Sequence, residues 1–245
     1  MVSIVTMGSR RDGNASHGVL VAEVLGPAGA GKTTLVKVLV HQHPALSPVE
    51  GYRSLRLAPT YARVAAVRAP LLWTASRGTA NPTRWINWMI RLECSDRVLQ
   101  GSRPARRHHG VVLFDQGPVY SLMRLLPEPA MRTVVPDDPY SRWWQRMLNR
   151  WAGLLDVVIV VNARDDVLLE RIQSRPKWHP VKDLAPDQAR ALLADHRARC
   201  DTVTAALGVT AGPKIVRIDT SDLLVTESMA SCLEALTVDP ATGSR

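Results

Sequence analysis

A nine-residue stretch near the start of the chain contains the residue types that bind polyphosphate. It reads GPAGAGKTT and comprises Gly26, Pro27, Ala28, Gly29, Ala30, Gly31, Lys32, Thr33 and Thr34. Two glycines separated by four residues and followed by Lys and Thr form the P-loop (Walker A) pattern, in which backbone N–H groups surround phosphate oxygens. In this pattern Lys32 neutralises the β- and γ-phosphates, Thr33 supplies a hydroxyl ligand to Mg²⁺, and Thr34 is a further donor to phosphate. The stretch therefore predicts a site for ATP and Mg²⁺.

A carboxylate is the second group that such chemistry requires, either to hold the metal's water shell or to accept a proton from the nucleophile. Asp115 ends the apolar run GVVLFD at 110–115, which has the length of a buried strand. Ligands of open α/β sheets bind where strands end, so we predict a catalytic or Mg²⁺-linked role for Asp115. The alternative is that Asp115 only begins a turn before Gly117 and Pro118.

Two arginines form a third candidate group. Arg171 and Arg175 lie four residues apart in LLERIQSRPKW (168–178), so they share one face of a helix that should end near Pro176. Guanidinium groups at such a position can stabilise the charge of a phosphoryl group in transfer. The alternative is an exposed helix whose arginines pair with acidic neighbours.

Tryptophan is concentrated in the middle of the chain, which has seven Trp and a single Phe. Most of these rings are therefore expected in the core. Trp85, Trp88 and Arg91 follow one another at three-residue spacing, which places them on one helix face as a candidate site for a planar, anionic acceptor. His108 and His109 have no partner at metal-ligand spacing, so no metal role is expected for them.

Strand-like and helix-like segments alternate along the chain and should position these groups. Short runs of Val, Ile and Leu predict strands at 19–25, 110–115, 154–163 and 214–221. Apolar residues at helical spacing predict helices at 33–43, 83–100, 165–175, 187–207 and 227–236. This alternation predicts an α/β fold with a doubly wound parallel sheet and helices on both sides.

Composition and charge limit the classes of protein. The chain has 245 residues, a formal net charge of +9 and three widely spaced cysteines, which favours a single domain with reduced thiols. No apolar stretch approaches the ~20 residues of a membrane span, and no export segment is recognisable, so the expectation is a cytoplasmic protein without a membrane partner. The positive charge could serve nucleic acid, but the arginines are dispersed, and a basic surface with phosphate-binding arginines is favoured.

The chain resembles the nucleoside monophosphate kinase-like branch of P-loop phosphotransferases, especially thymidylate kinase and its deoxynucleoside kinase relatives. The resemblance covers roughly residues 18–236 and rests on GPAGAGKTT, VVLFDQG, VVIVVNARDDVLLERIQSR and KIVRIDTSD. It implies a three-layer fold with a five-stranded parallel core, Mg-ATP as donor and transfer of the γ-phosphoryl to a small acceptor. By position it assigns Lys32 and Thr33 to ATP and Mg²⁺, Asp115 to the acceptor or the metal, and Arg171 and Arg175 to a lid.

The expected division of the chain follows from the same resemblance. A single kinase-like domain at 18–237 would contain acceptor-binding helices at about 60–150 and the lid at about 171–186. The segments 1–17 and 238–245 are polar and are expected to be disordered.

One position departs from the thymidylate kinase pattern. There the strand acid is followed by an arginine that binds the acceptor's phosphate, whereas Gln116 follows Asp115 here, and an amide does not supply that charge. Arg91 lies near the place of another acceptor-phosphate arginine, so Arg91 and Gln116 are both candidates for acceptor binding. The region 52–82, where such enzymes choose their substrate, matches no motif.

The leading hypothesis is therefore a small-molecule kinase whose acceptor is a nucleotide or nucleoside, with another hydroxyl compound such as a sugar or antibiotic compatible with the chemistry. The alternative is a regulatory or nucleic-acid-associated P-loop protein that hydrolyses ATP or GTP slowly. A sulfotransferase is disfavoured because GKTT retains the Mg²⁺-binding hydroxyl. The oligomeric state, including a homodimer, stays open.

Overall fold

A computed structural model of the protein describes residues 19–49, 58–76, 81–102, 110–126, 139–209 and 212–236. Several sequence predictions fall outside these ranges: the two termini, both histidines at 108 and 109, and residues 52–57 and 77–80 of the region 52–82.

Five parallel strands form the central sheet. They are β1 Val19–Leu25, β2 Leu46–Pro48, β3 Gly110–Asp115, β4 Val157–Asn162 and β5 Lys214–Asp219. Their order across the sheet is β2-β3-β1-β4-β5, and every neighbouring pair is parallel. Crossovers on both sides of β1 produce this order, which confirms the predicted doubly wound α/β fold with a five-stranded core.

Helices connect the strands and cover both faces of the sheet. The α-helices are α1 Lys32–Gln42, α2 Ala58–Ser76, α3 Pro82–Ser102, α4 Pro118–Arg124, α5 Pro139–Leu154, α6 Asp165–Ser174, α7 Pro186–Val209 and α8 Val225–Leu236. A short 3₁₀ helix, Pro180–Asp183, lies between α6 and α7. Within the described ranges, none of these helices has the length and apolar character needed to cross a membrane.

Strand β1 shows how one sequence serves two hydrophobic cores. Successive side chains of a strand point to opposite faces, so Val21 and Leu25 enter one core while Ala22 and Val24 enter the other. The first core also contains residues of α3, α4, α5 and α7, and the second contains residues of α1, α6 and α8. Position 23 shares the face of Val21 and Leu25 but is a glutamate, and its side chain is 0% exposed.

Trp143 and Trp151, both on α5, are completely buried in the first core, as expected for most of the tryptophans. The ring of Trp151 meets Phe114 edge-on, with ring centroids 6.0 Å apart. Trp178 is different, since it is 65% exposed in the segment after α6.

Most element boundaries agree with the predictions within three residues. The predicted strand 154–163 begins late, at Val157, because the chain up to Leu154 completes α5. Strand β2 and helices α2, α4 and α5 were not predicted. Helix α4 begins at Pro118, where a ring that fixes φ and removes an N–H is compatible with a first helical turn.

Candidate active site

The loop from Gly26 to Gly31 joins β1 to α1 with a backbone that requires glycine. Gly26, Gly29 and Gly31 have φ angles of 147°, 85° and 82°, which side chains of L-residues rarely adopt. A Cβ on Gly26 would lie 1.9 Å from the carbonyl oxygen of Val161, and one on Gly29 would lie 2.8 Å from that of Leu168. The loop therefore packs against β4 and α6 too closely for any side chain at these two positions.

Lys32 is the first residue of α1 and is 5% exposed. Its Nζ donates a hydrogen bond of 2.6 Å to the carbonyl oxygen of Pro27, within its own loop. Burial lowers the pKa of Lys32 to about 8, and nearby Arg175 also lowers it while Asp115 opposes the change. The buried ammonium thus lies in the electrostatic field of both other predicted catalytic groups.

Thr33 and Asp115, which are 82 residues apart in the sequence, meet at this loop. The Thr33 hydroxyl donates a 2.9 Å hydrogen bond to Oδ2 of Asp115. The other carboxylate oxygen, Oδ1, is buried without a hydrogen-bond partner among the described residues. A hydroxyl and a carboxylate with a free oxygen are hard oxygen ligands, so this pair fits Mg²⁺ bound directly or through water.

The turn after Asp115 is held in an uncommon conformation. Gln116 has a φ of 59°, the left-handed region that is unusual for a residue other than glycine. Its N–H donates to the carbonyl oxygen of Val24 at 3.2 Å, and its own carbonyl accepts a 3.1 Å hydrogen bond from Nη2 of Arg91. A Cβ on Gly117 would lie 2.6 Å from the Phe114 ring, so the turn also requires glycine there.

The two predicted lid arginines have different surroundings. Arg171, in the last turn of α6, donates from Nη1 and Nη2 to the hydroxyl and carbonyl of Thr220, at 3.2 and 2.9 Å. Arg175 follows the helix end, and its Nε is buried without a hydrogen-bond partner in the described part of the chain. Lys182 of the 3₁₀ helix donates to the carbonyls of Gln173 and Arg175, which ties the segment after α6 to the end of that helix.

A cavity of about 1130 Å³ opens over the loop. Its lining includes all loop residues from Gly26 to Thr34 except Pro27, together with Gln116, Arg171 and Arg175. The lining is strongly basic: among the described residues it contains Asp195 as its acid, against seven cations. These are Lys32, Arg84, Arg124, Arg171, Arg175, Lys177 and Arg199.

Trp85, Trp88 and Arg91 lie on one face of α3, as predicted, but the cavity lining formed by described residues does not include them. The Trp85 ring packs on Tyr140, with centroids 5.0 Å apart, and Trp88 meets the ring of Tyr120 at 5.4 Å. Arg91 lies over Trp88 at 5.1 Å while it holds the Gln116 carbonyl. Trp88 and Arg91 thus contact two residues that line the cavity, Tyr120 and Gln116, whereas Trp85 packs on Tyr140, which is not part of the described lining. A direct role of the three residues in acceptor binding stays a prediction.

The cavity lining also contains residues that the sequence did not indicate. Arg84 lies on α3, Tyr120 and Arg124 on α4, and His196 and Arg199 on α7. Burial lowers the pKa of Arg124, as do Arg84 and Arg199, and burial also lowers the pKa of His196 to about 4. No spacing pattern connects these residues, because only the packing of α3, α4 and α7 brings them to one wall.

Comparison with solved structures identifies the class of fold. Deoxyadenosine kinase from M. mycoides with bound dATP superposes with a TM-score of 0.51 and 12% sequence identity, over 89% of this chain and 99% of that one. The same enzyme with bound dCTP gives a TM-score of 0.50 at 12% identity, over 89% and 98% of the two chains. No protein-family model and no curated protein sequence matches the chain. The fold is that of P-loop kinases.

Proposed function

We propose that the protein is a phosphotransferase that moves the γ-phosphoryl group of Mg-ATP to a small acceptor of the nucleoside or nucleotide class. The observation that carries the proposal is the contact of Thr33 with Asp115 at a P-loop, beneath a basic cavity that also contains Arg171 and Arg175. A P-loop alone serves many NTPases, whereas this combination has the parts that phosphoryl transfer requires.

In the proposed mechanism, Mg-ATP supplies an activated phosphoryl group. The N–H groups of the glycine loop bind the phosphates, and Lys32 exchanges its hydrogen bond with Pro27 for phosphate oxygens. Thr33 and Oδ2 of Asp115 would hold Mg²⁺ directly or through water, and the metal would offset phosphate charge there. The unpartnered Oδ1 can accept the proton of the attacking hydroxyl or position it. Arg175, whose Nε is free, stabilises charge on the transferred group, while Arg171 is fixed to Thr220 and orients the lid.

The charge of the cavity favours an acceptor that already carries a phosphate. Mg-ATP carries a net charge of about −2, since four negative charges are offset by the metal. The seven cations and one acid of the lining exceed what that donor neutralises. Arg84, Arg124 and Arg199 lie near one another in this lining, where Asp195 pairs with Arg199, and an anionic group of the acceptor would relieve the repulsion that remains. We call these three arginines the arginine wall. A nucleoside monophosphate fits this wall better than a nucleoside, although the enzyme of similar fold is a deoxyadenosine kinase.

The test is ADP release from Mg-ATP with matched acceptors: each deoxynucleoside beside its 5′-monophosphate, together with sugars and aminoglycosides. Lys32→Ala serves as the blank, because it removes the cation beneath the loop. We expect stimulation by a monophosphate with phosphate appearing on it. Stimulation by a deoxynucleoside alone would refute the phosphorylated acceptor and leave the kinase intact. A slow rate of ATP turnover that no acceptor increases, together with tight, salt-dependent binding of RNA or DNA, would refute the proposed kinase activity.

A further inference from the structure

Glu23 is a completely buried carboxylate in the middle of the central strand β1. A buried carboxylate is costly unless hydrogen bonds compensate for the lost water. Its two oxygens accept from separate backbone groups: Oε2 from the N–H of Val119 and Oε1 from the N–H of Tyr120, both at 2.8 Å. The carboxylate therefore joins β1 to the first turn of α4.

The segment between β3 and that first turn contains two residues of the site. Asp115, which meets Thr33, and Gln116, which lines the cavity, immediately precede Gly117 and Pro118. The left-handed backbone of Gln116 is strained and persists only if the surrounding contacts restrain it. The bonds of Glu23 lie on the carboxyl side of this turn, and the contact of Gln116 with Val24 lies on its amino side.

We propose that Glu23 is a positioning residue, whose buried carboxylate holds the turn that carries Asp115 and Gln116 in the geometry needed for phosphoryl transfer. Among the described residues, Glu23 is not part of the cavity lining and its hydrogen bonds go to Val119 and Tyr120, so it acts through the turn. The kinetic part of this proposal rests on the proposed phosphotransferase activity, whereas the structural part does not.

Protonation of Glu23 should weaken this restraint. A protonated carboxyl group turns one acceptor oxygen into a donor, which then faces a backbone N–H. Burial raises the pKa of Glu23 to about 7, although the amides of Tyr120, Val119 and Gly117 and the charge of Arg91 act to lower it. In the described part of the chain, the titratable groups that interact electrostatically with Glu23 from neighbouring helices are Arg91 on α3 and Cys200 on α7. The restraint should therefore be complete above pH 7 and weaken as the pH falls through it.

The experiment compares the wild type with Glu23→Gln, which keeps the shape and approximates the protonated state. Amide NMR of ¹⁵N-labelled protein follows Val119, Tyr120, Asp115 and Gln116 between pH 5.5 and 8.5, and kcat is measured over the same range. We expect wild-type amide shifts and kcat to change together with a midpoint near pH 7. Glu23→Gln should lack this midpoint and show kcat reduced at least tenfold at pH 8, with the Kd for ATP changed less than twofold.

Asp156→Asn is the matched control, because the carboxylate of Asp156, like that of Glu23, accepts a backbone hydrogen bond that joins β1 to a neighbouring segment. Its donor is the N–H of Val21, at 2.7 Å, nearer the amino end of the strand. The control variant should keep the wild-type pH profile. The proposal would be overturned if the amide chemical shifts of the turn did not change with pH in the wild type, or if they were the same in Glu23→Gln as in the wild type. Both results can be obtained even if no acceptor is phosphorylated. An unchanged kcat in Glu23→Gln would overturn the proposal on the kinetic side, and urea unfolding identifies any loss that reflects instability alone.

Discussion

Replacement of Lys32 by methionine should abolish triphosphate binding and at the same time stabilise the unliganded protein. Lys32 is 5% exposed, and its pKa is lowered from 10.5 to about 8. Each pKa difference of one corresponds to about 1.4 kcal/mol, so burying the charged form costs about 3 kcal/mol at pH 7. Methionine fills similar space without a charge, so this cost is removed. It also leaves the Pro27 carbonyl without its hydrogen-bond donor, which reduces the gain in stability by about 1 kcal/mol. The expected net gain in the free energy of unfolding is about 2 kcal/mol.

The assay is urea unfolding of the unliganded protein at pH 7, with Lys37→Met as the control. Lys37 lies on the same helix but is exposed, so its replacement should change the free energy of unfolding by less than about 0.5 kcal/mol. Saturating Mg-ATP should stabilise the wild type and Lys37→Met but not Lys32→Met, because only a protein that binds the ligand gains stability from it. A Lys32→Met protein no more stable than the wild type would refute the burial argument.

The pH dependence of the free energy of unfolding tests independently whether the pKa of Lys32 is lowered in the folded protein. Between pH 8 and 10.5 the folded protein has lost the Lys32 proton while the unfolded chain still holds it. The unfolded state then binds more protons, so the wild-type free energy of unfolding should rise with pH across this window relative to Lys32→Met. A difference between the two proteins that stays constant with pH would contradict the lowered pKa.

Three further predictions concern single residues of the cavity. Asp115→Asn should lower kcat on the order of 10²-fold to 10⁴-fold and leave the Kd for ATP nearly unchanged, since it removes an acceptor for the proton of the nucleophile. Coupled ADP release measures kcat, and equilibrium dialysis measures the Kd. Normal phosphoryl transfer would refute the catalytic role of Asp115. Arg175→Ala should lower kcat on the order of 10³-fold with little effect on ATP binding. An unchanged kcat, measured by stopped-flow phosphoryl transfer, would show that Arg175 has no catalytic role. Arg124→Gln should raise the KM of a phosphorylated acceptor about tenfold to a hundredfold and leave the KM for ATP unchanged. The control is Arg190→Gln at an exposed position of α7, which should change neither KM. Equal effects of the two variants would contradict an acceptor phosphate at Arg124.

The donor half of the site could be predicted from sequence because its signals are local. The P-loop is one continuous stretch, and the acid after GVVLFD and the arginines of α6 follow from where parallel strands and their helices end. In the structure the Thr33 hydroxyl lies 2.9 Å from the Asp115 carboxylate. These contacts depend on the backbone pattern of the fold more than on particular side-chain packing.

The arginine wall, the cluster of Arg84, Arg124 and Arg199 in the cavity lining, could not be predicted because it depends on packing between helices that are distant in the sequence. Arg124 and Arg199 are separated by most of α5, β4, α6 and α7 in the sequence, and nothing in their local surroundings marks them. Trp85 and Trp88 lie on one helix face as their spacing predicts, yet no local pattern indicates that this face packs against Tyr140 and Tyr120. Helix periodicity identifies a buried face without identifying what covers it.

Glu23 shows that a detectable signal can be missed when a strand is considered only for its apolar residues. A glutamate within VLVAEVL is unexpected in a strand buried on both faces, because an unpartnered carboxylate there would be costly. Such a residue implies fixed donors within reach, and the first turn of a neighbouring helix supplies N–H groups that lack partners in the helix itself. β1 leads into the glycine loop and pairs with β3 beside Asp115, and the donors that Glu23 uses lie in the segment that follows Asp115. A buried acid in the central strand of such a sheet is therefore itself evidence for a structured turn at the active site.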